Sequence, residues 1–84
     1  MIQLDGKIDE KRLRQFASQV KHIPPHALHV IHEMMCKDQS PEFYHGQMAA
    51  LQFAHQLMAG TQSQNTVGAT MAVVAKHIVD NGWW

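Results

Sequence analysis

The chain has 84 residues, and its seven Lys and Arg balance its seven Asp and Glu, so its formal charge is zero with histidine neutral. That length is one domain, residues 1–84, with a thin core. The charge balance supplies no field to gather nucleic acid or an anionic membrane, and no apolar run approaches the ~18 residues of a membrane span.

Residues 1–8 read as a short extended lead-in with a turn at Asp5-Gly6. The stretch LDGKIDEKRL, residues 4–13, resembles the back half of a calcium-binding EF-hand loop. Arg12 stands where the bidentate Glu belongs, so Asp9 is instead the expected cap of a first helix. Ile8 and Leu13 form a hydrophobic staple around that cap. Leu13, Phe16, Ala17 and Val20 make one apolar stripe at helical spacing, with Lys11, Arg12, Arg14 and Gln15 outward. Pro24-Pro25 ends this helix, and Pro25 opens the next.

In the second helix Ala27, Leu28, Ile31, Met34 and Met35 share the core side. His26, His29, His32, Glu33 and Cys36 share the other. Ser40, Pro41 and Glu42 are a cap, a first-turn proline and a first-turn acid for the third helix. That helix ends at Gly60. Phe43, Ala50, Phe53, Ala54, Leu57 and Met58 are its expected inner face, with Leu51 on the flank and His45, Gln52 and Gln56 outside. Thr61–Asn65 reads as a polar linker, and Thr66 as the cap of a fourth helix with Val67, Met71, Val74, Ala75 and Ile78 inward. Gly68, Ala72 and Ala75 give that helix small residues on adjacent turns. Asn81-Gly82 stops it, and Trp83-Trp84 follow. The expected fold is all-α, a compact three- to four-helix bundle or orthogonal helical array.

Cys36 is the sole cysteine, so no disulfide forms within the chain. A lone thiol fits a reducing compartment, and MIQLDGKIDEKR lacks an apolar signal core. The expected location is the cytoplasm. Small domains often add a staple, which here leaves a metal or a second copy.

His29, His32 and Cys36 fall on one strip of the second helix and carry good zinc-ligand chemistry. Residues seven apart are ~10 Å apart along the axis, so one helix offers only an adjacent pair, His29/His32 or His32/Cys36. Other ligands would come from His45, His55, His77 or a second chain. The expectation is therefore no dedicated metal and no cofactor. The chain also lacks a nucleophile turn at Cys36, a phosphate loop and a dinucleotide fingerprint, which argues against an enzyme.

Residues 12–31 resemble a helix-turn-helix unit, with Ala17 at its tightly packed position. That implies DNA or anion contacts through Arg12, Arg14, His26 and His29. No side chain of the presented helix is one that reads base edges best. The stretch SPEFYHGQMAALQFAHQLMAG, residues 40–60, is similar to helical segments of small phage and prophage accessory proteins. The resemblance implies a non-catalytic protein acting on a host complex, in the host cytoplasm.

The expected function is a non-enzymatic helical protein that self-associates, most simply as a dimer, and binds a protein partner as inhibitor or adaptor. The imidazole face of His26, His29, His32 and Glu33, together with Trp83 and Trp84, is the candidate contact surface. Histidine is buried at neutral pH more cheaply than lysine or glutamate, and tryptophan is enriched at binding hot spots. The alternatives are a helix-turn-helix DNA regulator and a small-molecule or nucleotide sponge that grips anions.

Overall fold

Asp9 begins the described chain and does what its side chain suggests. In the computed structural model, which describes residues 9–37 and 39–83, its Oδ1 accepts the Arg12 N–H at 2.8 Å. That bond satisfies one of the amides a helix start leaves free. Helix α1 (Glu10–Ser18) runs into a 3-10 turn (Gln19–His22), and Ile23 and Pro24 separate this from α2 (Pro25–Met35). Helix α3 (Pro41–Leu57) opens on Ser40, whose Oγ accepts the Phe43 N–H at 3.2 Å. Gly60, at φ 82°, takes the left-handed conformation that ends this region. Helix α4 (Gln62–Asp80) completes the all-α fold, with no strand among the described residues. The lead-in and Trp84 lie outside the described residues.

α4 is the hub. Met71 through Ala75 are five consecutive buried residues, with Ile78 one turn further on. A helix buried on every side must be covered on every side. α1, α2 and α3 each lie against it. The interior is one cluster of Leu13 from α1, Tyr44 and Met48 from α3, and Met71, Val74, Ala75 and Ile78 from α4.

Three expectations are corrected. Thr61–Asn65 is not a linker: Thr61 is the N-cap residue and the polar run is the first turn of α4. A first turn needs little apolar surface, and Gln64 is used there, its Nε2 donating to the His55 carbonyl at 3.1 Å. Thr66 lies inside the helix, its carbonyl accepting the Thr70 hydroxyl. On α2, Met34 is 69% exposed rather than inward. Ala27, Leu28, Ile31 and Met35 are the half-buried side of that helix, which has no fully buried residue.

The largest correction concerns α3. Its inner face is Tyr44, His45 and Met48, all buried, continued by half-buried Leu51 and His55. Phe43, Phe53 and Leu57 are 47%, 57% and 70% exposed, and Ala50 is exposed as well. α3 carries two apolar stripes roughly 150° apart at 100° per residue. α4 covers the one headed by Tyr44, because that ring completes an aromatic cluster at the C-terminal end of α4.

Candidate interaction face and histidine site

Trp83 closes the aromatic cluster. Its ring stacks on Tyr44 with centroids 5.7 Å apart and 13° between planes. It meets His77 edge-on at 5.5 Å, and His77 meets Tyr44 edge-on at 4.9 Å. Two backbone bonds hold it: its N–H donates to the Ile78 carbonyl at 3.1 Å, and its carbonyl accepts from His45 Nε2. A carbonyl only accepts, so His45 carries its proton on Nε2. His45 was expected outside, and it is drawn in by this bond. Trp83 thus packs half-buried against its own α3 and α4. Trp83→Ala is expected to lower stability by about 2 kcal/mol, less than the ~3–5 kcal/mol of a fully buried aromatic. Urea unfolding followed by fluorescence of the remaining tryptophan measures it.

Among the described residues no other helix covers the opposite face of α3, where Phe43 meets only the neighbouring Tyr44 ring edge-on at 5.5 Å. Phe43, Gly46, Ala50, Phe53 and Leu57 are all exposed. Their spacing alternates three and four, the a/d register of a coiled-coil seam. Gly46 stands out among them. A glycine inside a helix costs roughly 1 kcal/mol against alanine, and a Cβ built at Gly46 meets nothing within 4 Å. Nothing in its own fold requires a glycine there. The flanks of the seam are Gln47, Ala49, Ala54 and Gln56, and Glu42 is the one Asp, Glu, Lys or Arg in α3. This face was missed because the same Phe and Leu residues read as core, and hydropathy alone cannot say which of two stripes a neighbour will cover.

The histidine strip of α2 divides. His26, His29, His32 and Glu33 are exposed on α2, and His29 and His32 line a groove of about 360 Å³ with Leu28, Val73, His77 and Asp80. His32, one turn before Cys36, also faces His77 of α4, the two rings edge to face at 5.6 Å. Ligand atoms of His32, Cys36 and His77 all lie within 4.8 Å of one another. His29 is not part of this group. Burial pushes the Cys36 thiol above its usual pKa. Burial first, then His32, lowers the His77 pKa, against a smaller opposite pull from Asp80. His77 therefore favours the neutral imidazole that binds metals. His32 and Cys36 are one of the two adjacent pairs α2 could offer, and the third group comes from across the fold, where helix spacing carries no signal.

Arg12 and Arg14 are on α1, Arg12 over the Phe16 ring at 5.9 Å and Arg14 paired with Glu10 at 2.8 Å. Ala17 packs toward the core cluster, and α1 and α2 each rest on α4 without an extended contact between them. The tight helix-to-helix packing of a helix-turn-helix is therefore not what positions these two helices. No family model matches the chain, and comparisons with curated proteins and with solved structures give no match.

Proposed function

We propose that this is a non-enzymatic interaction protein that works as a homodimer joined α3 to α3. The observation that carries the reading is the exposed seam of Phe43, Gly46, Ala50, Phe53 and Leu57. Its sequence complements itself when two copies run antiparallel. With Gly46 opposite Leu57 of the second copy, Ala50 falls opposite Phe53, and the two-fold repeats both layers. Each layer then pairs a small residue with a bulky one, which is how facing helices interdigitate. The same patch serves both subunits, as a two-fold interface requires. Glu42 is the one Asp, Glu, Lys or Arg in α3, so two copies meet almost without like-charge cost.

The imidazole side of α2 faces solvent and suits a protein partner, which the protein would hold as inhibitor or adaptor. The resemblance of residues 40–60 to phage accessory proteins extends this to a host complex as target. DNA binding has less behind it, because Arg14 is already paired with Glu10 and α1 and α2 do not pack as a unit.

The test is mass in solution by sedimentation equilibrium, with a chelator present so that metal bridging plays no part. The expected mass is twice 9.5 kDa at micromolar concentration. Gly46→Met fills the notch that receives Leu57, and should give a folded monomer, since its own chain leaves that space open. A native protein that stays monomeric to millimolar concentration, or a Gly46→Met variant that dimerises as before, sinks the reading.

A further inference from the structure

We propose that His32, Cys36 and His77 form a binding site for a zinc-class divalent transition metal that ties the end of α2 to the end of α4. This site is independent of the α3 seam and lies on other helices. Three observations meet here. The donor atoms are within 4.8 Å of one another. Zinc holds nitrogen at ~2.0–2.1 Å and sulfur at ~2.3 Å, which sets tetrahedral ligands ~3.5 Å apart. Binding would draw the donors together by roughly 1 Å, and the exposed His32 side chain has room to turn. Among the described residues the hydrogen bonds of His32, Cys36 and His77 run through their backbones and not their side chains, so none of those has to break. Finally, the rings of His32 and His77 meet edge to face at 5.6 Å, close enough to share one ion.

The donor set also selects the metal. Two imidazoles and one thiolate are borderline-to-soft ligands, suited to zinc and cobalt and poor for calcium or magnesium. On binding, each neutral imidazole gives a lone pair and the Cys36 thiol releases one proton to solvent as its sulfur bonds the ion. The protein supplies three ligands, and the site opens on two sides. One is the groove lined by His29 and Asp80, the other a cleft lined by Lys37, Gln39 and Asn81. A fourth position is thus open to water or to a donor from a partner. The physical gain falls where the fold needs it. α2 has no fully buried residue, and the metal would fix its C-terminal turn to the hub.

The experiment titrates the reduced full-length protein with cobalt(II), followed by absorbance. A site of this kind gives one equivalent of tight binding, intense visible bands of four-coordinate cobalt, and a near-ultraviolet thiolate-to-cobalt charge-transfer band. One equivalent of zinc displaces all of them. Cys36→Ser should abolish the charge-transfer band. His32→Ala and His77→Ala should each weaken binding by more than the ~10–100-fold that loss of an outer-shell partner costs. His32 is exposed, so that variant keeps its fold even where His77→Ala does not. The His26→Ala/His29→Ala double variant should bind as the native protein does. Weak binding without the charge-transfer band overturns the site, and so does a signal that survives Cys36→Ser and His32→Ala. Loss of the signal in the His26→Ala/His29→Ala variant would also overturn it, because it would place the ion on the surface imidazoles.

Discussion

Replacing Phe53 with glutamate is expected to leave the helical fold standing and to abolish self-association. Phe53 is 57% exposed, so its loss removes little from the protein's own core. Glutamate is also a good helix former at a mid-helix position. In the proposed antiparallel pair, each Phe53 fills the space over Ala50 of the other copy. The variant therefore removes two aromatic anchors and puts two carboxylates into the seam. Aromatic hot spots cost ~2 kcal/mol or more each when truncated. Two of them raise the dissociation constant by on the order of 10³, since each 1.4 kcal/mol is a factor of ten. Sedimentation at micromolar concentration should show a monomer, with helical circular dichroism unchanged. A variant still at twice the chain mass would mean that α3 is not the interface.

The fold's local chemistry was legible, and its tertiary choices were not. Asp9, Ser40 and the Pro24-Pro25 stop lie where the sequence puts them, because capping and proline sterics act within a turn or two of chain. The core side of α4 was also readable, as Met71, Val74, Ala75 and Ile78 form one stripe at helical spacing. α3 resisted for a specific reason. Phe43 and Phe53 are more hydrophobic than Tyr44 and His45, so any ranking by hydropathy turns the wrong side inward. What decides the matter is Trp83, which receives a bond from His45 and stacks on Tyr44. That contact spans 38 residues of sequence and leaves no periodic trace. His77 joined His32 and Cys36 by the same kind of long-range closure. Helix spacing left His45, His55 and His77 as equal candidates beside His32 and Cys36, and only the packing of α2 on α4 brings His77 to them. His45 is engaged by Trp83, and His55 packs over Gly68, its imidazole 3.7 Å from where a Cβ would stand there.

Ile78→Ala should have the opposite signature to Phe53→Glu, a large loss of stability centred on the interior. Ile78 is fully buried, within the cluster that Leu13, Tyr44 and Met48 complete. Truncating a buried Ile to Ala typically costs ~2–5 kcal/mol, the transfer term plus the cavity left behind. A domain this small holds roughly 0.05–0.15 kcal/mol per residue in all, so the loss is a substantial fraction of the total. At ~4–8 °C per kcal/mol for a domain of this size, the melting midpoint should fall by at least ~8 °C. Leu57→Ala is the control: it removes apolar atoms from a residue that is 70% exposed. It should weaken the dimer while leaving the unfolding free energy of the monomer nearly unchanged. The two variants also separate intrinsic stability from assembly. A species that binds only the folded state stabilises it by RT ln(1 + [L]/Kd), so the midpoint of native protein should rise with its own concentration. In Leu57→Ala that concentration dependence should shrink. In Ile78→Ala it should persist, displaced to lower temperature, because the α3 seam is untouched. Equal midpoints for Ile78→Ala and Leu57→Ala at every concentration would mean that the division of α3 and α4 into an interior face and an interface is wrong.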